Sequence, residues 1–136
     1  MQTVQTVSLD DAARIIEAAK QKAEEIGTRS NIAVVDAGGN LQAFARMDGA
    51  WLGSIDIAIN KAFTSRAFDI PTGELSKMSQ PGAPFYGIDV SNQGRVMIFA
   101  GGVPLKRDGG VMGAVGVSGG TGEQDQAVAE AAVTAF

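Results

Sequence analysis

The sequence predicts an α+β fold in which antiparallel strands are covered by helices. Three observations carry that expectation. The Gly-rich run from Val96 to Thr121 holds three apolar stretches, broken by Gly101-Gly102 and by Asp108-Gly109-Gly110. Residues 31–47 hold two more stretches, split by Ala37-Gly-Gly-Asn40. Helical patterns at 8–27, 53–68 and 121–134 stand before, between and after these strand regions. The resulting count is five strands, two and then three, in an antiparallel sheet with helices to cover its faces.

Length and composition set the frame. At 136 residues the chain is the size of one domain, spanning 1–136, with 45% hydrophobic and 19% charged residues, a globular profile. A net charge of -4 argues against a nucleic-acid partner, which would call for a basic stripe. No apolar run approaches the ~20 residues of a membrane-spanning helix. Met1–Val7 lacks the basic flank and apolar core of a signal peptide, so a cytoplasmic protein is expected. There is no Cys and no His. A disulfide framework, a thiolate nucleophile, a Ser-His-Asp triad and the usual zinc sites are thereby excluded. General acid–base chemistry falls to carboxylates, Lys and the single Tyr86.

The elements follow in order. Ser8 caps the first helix, and Asp10 and Asp11 place negative charge at its N-terminus. Leu9, Ala12, Ala13, Ile16, Ala19, Ala23 and Ile26 give it an apolar face, and Gly27 stops it. Asn31–Asp36 is a strand, Ala37–Asn40 a turn, and Leu41–Met47 a second strand that sets Phe44 and Arg46 on one face. The helix from about Gly53 to Phe68, with Ser54 as a cap, carries two opposed stripes. One is Ile55, Ile59, Ala62 and Arg66, flanked by Phe63; the other is Ile57, Lys61, Thr64 and Phe68. Such a helix meets the sheet on one side and a loop, a ligand or a second subunit on the other.

Thr72–Lys77 reads as a short helix capped by Thr72, and Gln80–Gly87 as an ordered irregular loop whose aromatics suit the lining of a site. Strands at Val96–Phe99, Val103–Leu105 and Val111–Val117 come next. Asp108-Gly109 turns the last pair into a tight hairpin. The closing helix spans about Thr121 to Thr134. Thr121 and Gln124 are spaced as a capping box, and Ala127, Val128, Ala131, Ala132 and Ala135 form the inward face.

Several residues are candidates for chemistry. Gly116–Gly122 before a helix resembles a phosphate cradle, but it lacks the Gly-Lys-Ser/Thr ending, and Glu123 and Asp125 would repel the anion; it reads as a structural turn. The aspartates at 36, 48, 56, 69, 89 and 108 read as turn and helix-end residues, with no calcium-loop spacing. Arg46 beside Phe44, and Lys61 with Thr64 and Phe68, set positive heads next to apolar surface, which suits a flat or apolar ligand bearing carboxylates. The plainer alternative pairs Arg46 with a turn aspartate and runs Lys61 out to water. Phe85 and Tyr86 serve as a lid over such a pocket or as core. Trp51 and the methionines read as packing.

Ala33–Ala50, Lys61–Ser65, Phe99–Leu105 and Gly113–Asp125 together resemble the GlcG/HbpS-like family of haem-binding proteins, which includes the PduO C-terminal domain. The resemblance covers nearly the whole chain, in order. It implies a profilin-like three-layer α-β-α sandwich on a five-stranded antiparallel sheet, assembled as a homo-oligomer. It also implies haem or a related tetrapyrrole as the ligand. Without His such a haem would be held weakly, with Thr64 as the iron ligand. Lys61, Arg46 or Arg66 would then pair the propionates, and Phe68, Phe85 and Tyr86 would enclose the ring. An enzyme without cofactor, acting on a small carboxylate or carbonyl compound, is the alternative. In that case Arg46 or Lys61 holds the anion, and Lys61, Tyr86 or a nearby Asp moves the proton.

Overall fold

In the computed structural model, which describes residues 1–136, the Ser8 hydroxyl accepts a hydrogen bond from the Asp11 N–H at 3.0 Å. The Asp11 carboxylate accepts from the Ser8 N–H at 3.2 Å, completing a capping box on α1 (Leu9–Ile26). The inward face of α1 is Ala12, Ile15, Ala19 and Ala23. Leu9, expected there, is 60% exposed.

β1 (Asn31–Asp36) and β2 (Leu41–Arg46) pair antiparallel across residues 37–40. Asp36 Oδ1 accepts from the N–H groups of Gly38 and Asn40, both at 2.9 Å, so this aspartate does shape a turn. β3 (Gly102–Arg107) and β4 (Gly110–Ser118) form the hairpin. Asp108 and Gly109 both hold positive φ, +53° and +79°, which matches the handedness of a two-residue turn between twisted strands. The sheet order is β2-β1-β4-β3, antiparallel throughout.

The sheet has four strands, and the fifth expected strand, Val96–Phe99, is not formed. Its backbone is held by a side chain instead of a neighbouring strand. The Thr64 hydroxyl accepts from the Met97 N–H at 2.8 Å and donates to the Arg95 carbonyl at 3.3 Å. Within it only Val96 is buried, and Phe99 is 58% exposed. An apolar tetrapeptide supplies strand propensity, but without an adjacent sheet edge it cannot pair.

The two faces of the sheet are covered differently. Ile32, Val34, Val115 and Val117 turn towards α1 and α4 (Gly122–Val133), where thirteen buried apolar residues form one cluster. Ala33, Val35 and Ala114 turn towards α2 (Gly53–Phe68), where they meet Ala58 and Ala62 in a cluster of five. The alternation follows from the two-residue period of the strands. The buried residues of α2 are Ser54, Ala58, Lys61, Ala62, Thr64 and Ser65, a face lying between the two stripes expected from the sequence. Small side chains win that face because the helix runs very close to β4. A Cβ on Gly116 would lie 2.1 Å from the Ala58 carbonyl oxygen.

α3 (Thr72–Met78) starts from Pro71, and Thr72 is not its cap. The Thr72 hydroxyl faces inward and accepts from the Gly102 N–H at 2.8 Å, tying the start of β3 to this helix. Residues 80–95 then pass through turns and two short 3₁₀ segments, Ile88–Val90 and Asn92–Gly94.

Candidate functional site

Lys61 sits in the third turn of α2, on the side that faces β3, β4 and the start of α4. A lysine on a buried helix face must find partners, because an unpaired ammonium out of water is very costly. Lys61 is 2% exposed. Its ammonium donates to the Val117 carbonyl at 2.8 Å and to Asp125 Oδ2 at 3.0 Å. Burial pushes the Lys61 pKa down from its ordinary value, and the Asp125 carboxylate opposes that shift in part.

The local chain is built for this meeting. The capping box of α4, Thr121 with Gln124, holds the first turn in place with bonds of 3.2 and 2.9 Å. Asp125 stands in that turn at 4% exposure, and its second oxygen accepts from the Gly120 N–H at 2.9 Å. Gly101, at φ +120°, leaves the space that Lys61 needs. A Cβ there would lie 2.6 Å from the Val117 oxygen and 3.0 Å from Lys61 Nζ. The glycine turn after β4 is therefore a structural turn whose carboxylate receives a lysine.

A cavity of about 360 Å³ opens above the ion pair. Lys61, Asp125, Ser54, Ser118 and, from α3, Ser76 contribute polar groups to it, and Trp51, Ile57, Ile98 and Phe99 contribute apolar ones. On α2, Ser54, Ile57 and Lys61 are spaced at three, four and seven residues, so they share one side of the helix. Trp51, expected to be packing, is 66% exposed at this opening.

The other expected site residues are not gathered here. Arg46 lies on edge strand β2 and lines a separate hollow of about 700 Å³ with Lys20, Glu24, Arg29 and Asp48. Arg46 and Lys61 therefore line different cavities and do not act on one ligand within a single chain. Thr64 has no exposure, and its hydroxyl is engaged as donor and as acceptor. Phe68, Phe85 and Tyr86 are 40%, 45% and 69% exposed and belong neither to the core nor to the lining of this cavity. Lys61 does not run out to the surface as the plainer alternative has it; its ammonium turns inward to Val117 and Asp125.

Comparison with known proteins gives this arrangement a family. The family model for the haem-degrading protein HbpS and its relatives matches residues 7–134. The chain belongs to this HbpS-like family. A 15.0 kDa protein from the dhaT–dhaS intergenic region of Citrobacter freundii is 44% identical over 135 residues, which is 99% of this chain and 95% of that one. The crystal structure of the Klebsiella pneumoniae protein ORFY matches with a TM-score of 0.98 and 43% identity, over 100% of this chain and 94% of that one. The PduOC–haem complex matches with a TM-score of 0.92 and 38% identity, over 96% and 95%.

Within this HbpS-like chain, sequence reasoning missed Asp125 as a partner and Trp51 as a wall. One signal pointed to the first. A lysine inside an apolar helix stripe requires a buried acceptor, and Asp125 stands in the first turn of a helix with an apolar face. Nothing in the sequence said which carboxylate would be brought to it across a separation of 64 residues.

Proposed function

We propose that this chain is a single-domain, homo-oligomeric protein that binds haem or a related tetrapyrrole weakly. The observation that carries this reading is the 38% identity to the PduOC–haem complex across 96% of the chain. The chain's own residues decide how such a ring would be held. Imidazole and thiolate are absent. The Thr64 hydroxyl has no free approach, and the Lys61 ammonium is committed to Asp125 and Val117. Thr64, expected to ligate iron, and Lys61, expected to pair a propionate, thus do not fit those roles, and binding rests on the ring faces of the ligand. Phe68, Phe85 and Tyr86 offer exposed aromatic surface. Arg66 donates to the Asp69 carboxylate at 2.6 Å and stands on the stripe of α2 opposed to Phe68. Self-association is supported by Leu52, Phe68, Phe85, Tyr86 and Val90, all between 40% and 76% exposed in one chain.

Titration with hemin, followed at the Soret band, tests this alongside metal-free protoporphyrin. Both are expected to bind saturably, with Thr64→Ala unchanged and Tyr86→Ala weakened about three- to tenfold. A non-saturating response to both removes the reading. Binding of hemin alone, abolished by Thr64→Ala, would instead return the iron to Thr64. Light scattering on the eluting protein reads the assembly.

A further inference from the structure

The cavity over the Lys61–Asp125 pair has no part in that tetrapyrrole reading. Its volume of about 360 Å³ stands near the lower end of the range for small-molecule pockets, roughly 300–1,000 Å³. That is room for a small molecule and too little to enclose a macrocycle.

Its polar groups are not used up by the fold. Ser54 and Ser118 are 4% and 5% exposed, both line the cavity, and neither hydroxyl is held by a hydrogen bond to the protein. A lysine ammonium has three N–H donors, and Lys61 spends two of them, on Val117 and Asp125. Asp125 has each oxygen engaged, one by Lys61 and one by the Gly120 N–H. Around the ion pair the cavity therefore offers one N–H donor and two hydroxyls free to donate to a ligand oxygen, while the Ser76 hydroxyl is engaged by Gln80. Its formal charge is already balanced. Trp51, Ile57 and Phe99 supply apolar lining beside them.

Donors without net charge suit a neutral oxygen acceptor. A carboxylate would bring an uncompensated negative charge next to Asp125, whereas a carbonyl oxygen brings none. We propose that this cavity binds a small ketone or aldehyde. Its oxygen accepts from the free N–H of Lys61 and from the Ser54 and Ser118 hydroxyls, while its carbon chain lies against Trp51, Ile57 and Phe99.

Trp51 is the only tryptophan, so its indole N–H gives one signal in a ¹H–¹⁵N spectrum of the labelled protein. Titration with butanone is expected to move that signal, and the amides of Gly120 and Gly122, along a saturating curve. Butyrate, of similar size but charged, is expected to bind at least about tenfold more weakly. Ser118→Ala is expected to weaken butanone binding about five- to tenfold, with Ser54→Ala as an independent second variant. Unaltered amide signals away from the cavity establish that each variant is folded. A shift that grows linearly without saturation, equal binding by both serine variants and the parent, or butyrate binding as tightly as butanone overturns the proposal. None of these outcomes bears on the hemin titration, so the two readings fail separately.

Discussion

Towards α1 and α4 the sheet presents Ile32, Val34, Leu105, Val115 and Val117, each sealed beneath aliphatic neighbours. Towards α2 it presents Ala33, Val35, Ala114 and Gly116, and the helix answers with Ala58 and Ala62. The first face stabilises by apolar area, at about 1.5–3 kcal/mol for each fully buried large aliphatic side chain. The second has too little area for that. It brings backbones close together, and it is edged by buried polar groups: Ser54, Lys61, Thr64, Ser65 and Thr72. The contrast shows why the chemistry collects on the α2 side. Groups that need water, ions or ligands are affordable where packing is not already filled by hydrocarbon, and that is where the cavity opens.

The largest effect expected from this contrast is at Lys61. Lys61→Met leaves Asp125 buried without its cation and is expected to cost about 3–5 kcal/mol in urea unfolding, with part of the loss regained in Lys61→Met/Asp125→Leu. The pH dependence has a definite sign. Because burial lowers the Lys61 pKa, the folded state binds this proton less tightly than the unfolded state does. Stability from this group therefore rises as pH climbs from the lowered folded value towards 10.5, and the cost is full below that window. Lys61→Met is expected to lose that rise in melts at alkaline pH.

Next comes the aliphatic face. Ile15→Ala is expected to cost about 3 kcal/mol through a cavity under α1, with no effect on pH dependence. Equal pH sensitivity in both variants would erase the distinction between the faces. Gly116→Ala sharpens it from the other side. One added methyl collides with the Ala58 carbonyl and, at 2.5 Å, with the Ala62 nitrogen, so α2 must lift. The expected cost is about 2 kcal/mol by the same unfolding assay, and a neutral result would refute the close approach.

The smallest effect lies at the surface, at the start of α1. Hydrogen bonds from the Ser8 backbone and hydroxyl hold the Asp11 carboxyl below its usual value of 3.8. Its contribution is present above that value and is lost as pH falls through the lowered one. Asp11→Asn is expected to lower the neutral-pH melting temperature slightly and to converge on the parent as pH falls, flattening the acid limb. A parallel acid limb in the variant would remove Asp11 as its source.

Much of the fold was legible because its signals are local. Ser8, Asp108-Gly109 and Thr121 with Gln124 act through bonds spanning a few residues, so caps, turns and strand pairs follow from neighbours in sequence. The fifth strand failed on that same ground. Val96–Phe99 has the right residues, but its backbone bonds to the Thr64 hydroxyl and not to either edge strand of the sheet. The site was legible only in part. Lys61 stood out as a cation in an apolar stripe, while Arg46, Thr64, Phe68, Phe85 and Tyr86 were chosen for chemistry that depends on which groups meet.

By itself the sequence determined helices α1 and α4 with their capping boxes, the two hairpins and the family, whereas the caps expected at Ser54 and Thr72 did not form. The tertiary structure alone decided that Lys61 meets Asp125, that Thr64 is closed to a ligand, and that Trp51 faces a cavity. Local elements are set by short-range hydrogen bonding and side-chain periodicity, whereas a site is set by distances between residues far apart in the chain, which exist only once the sheet and helices have packed.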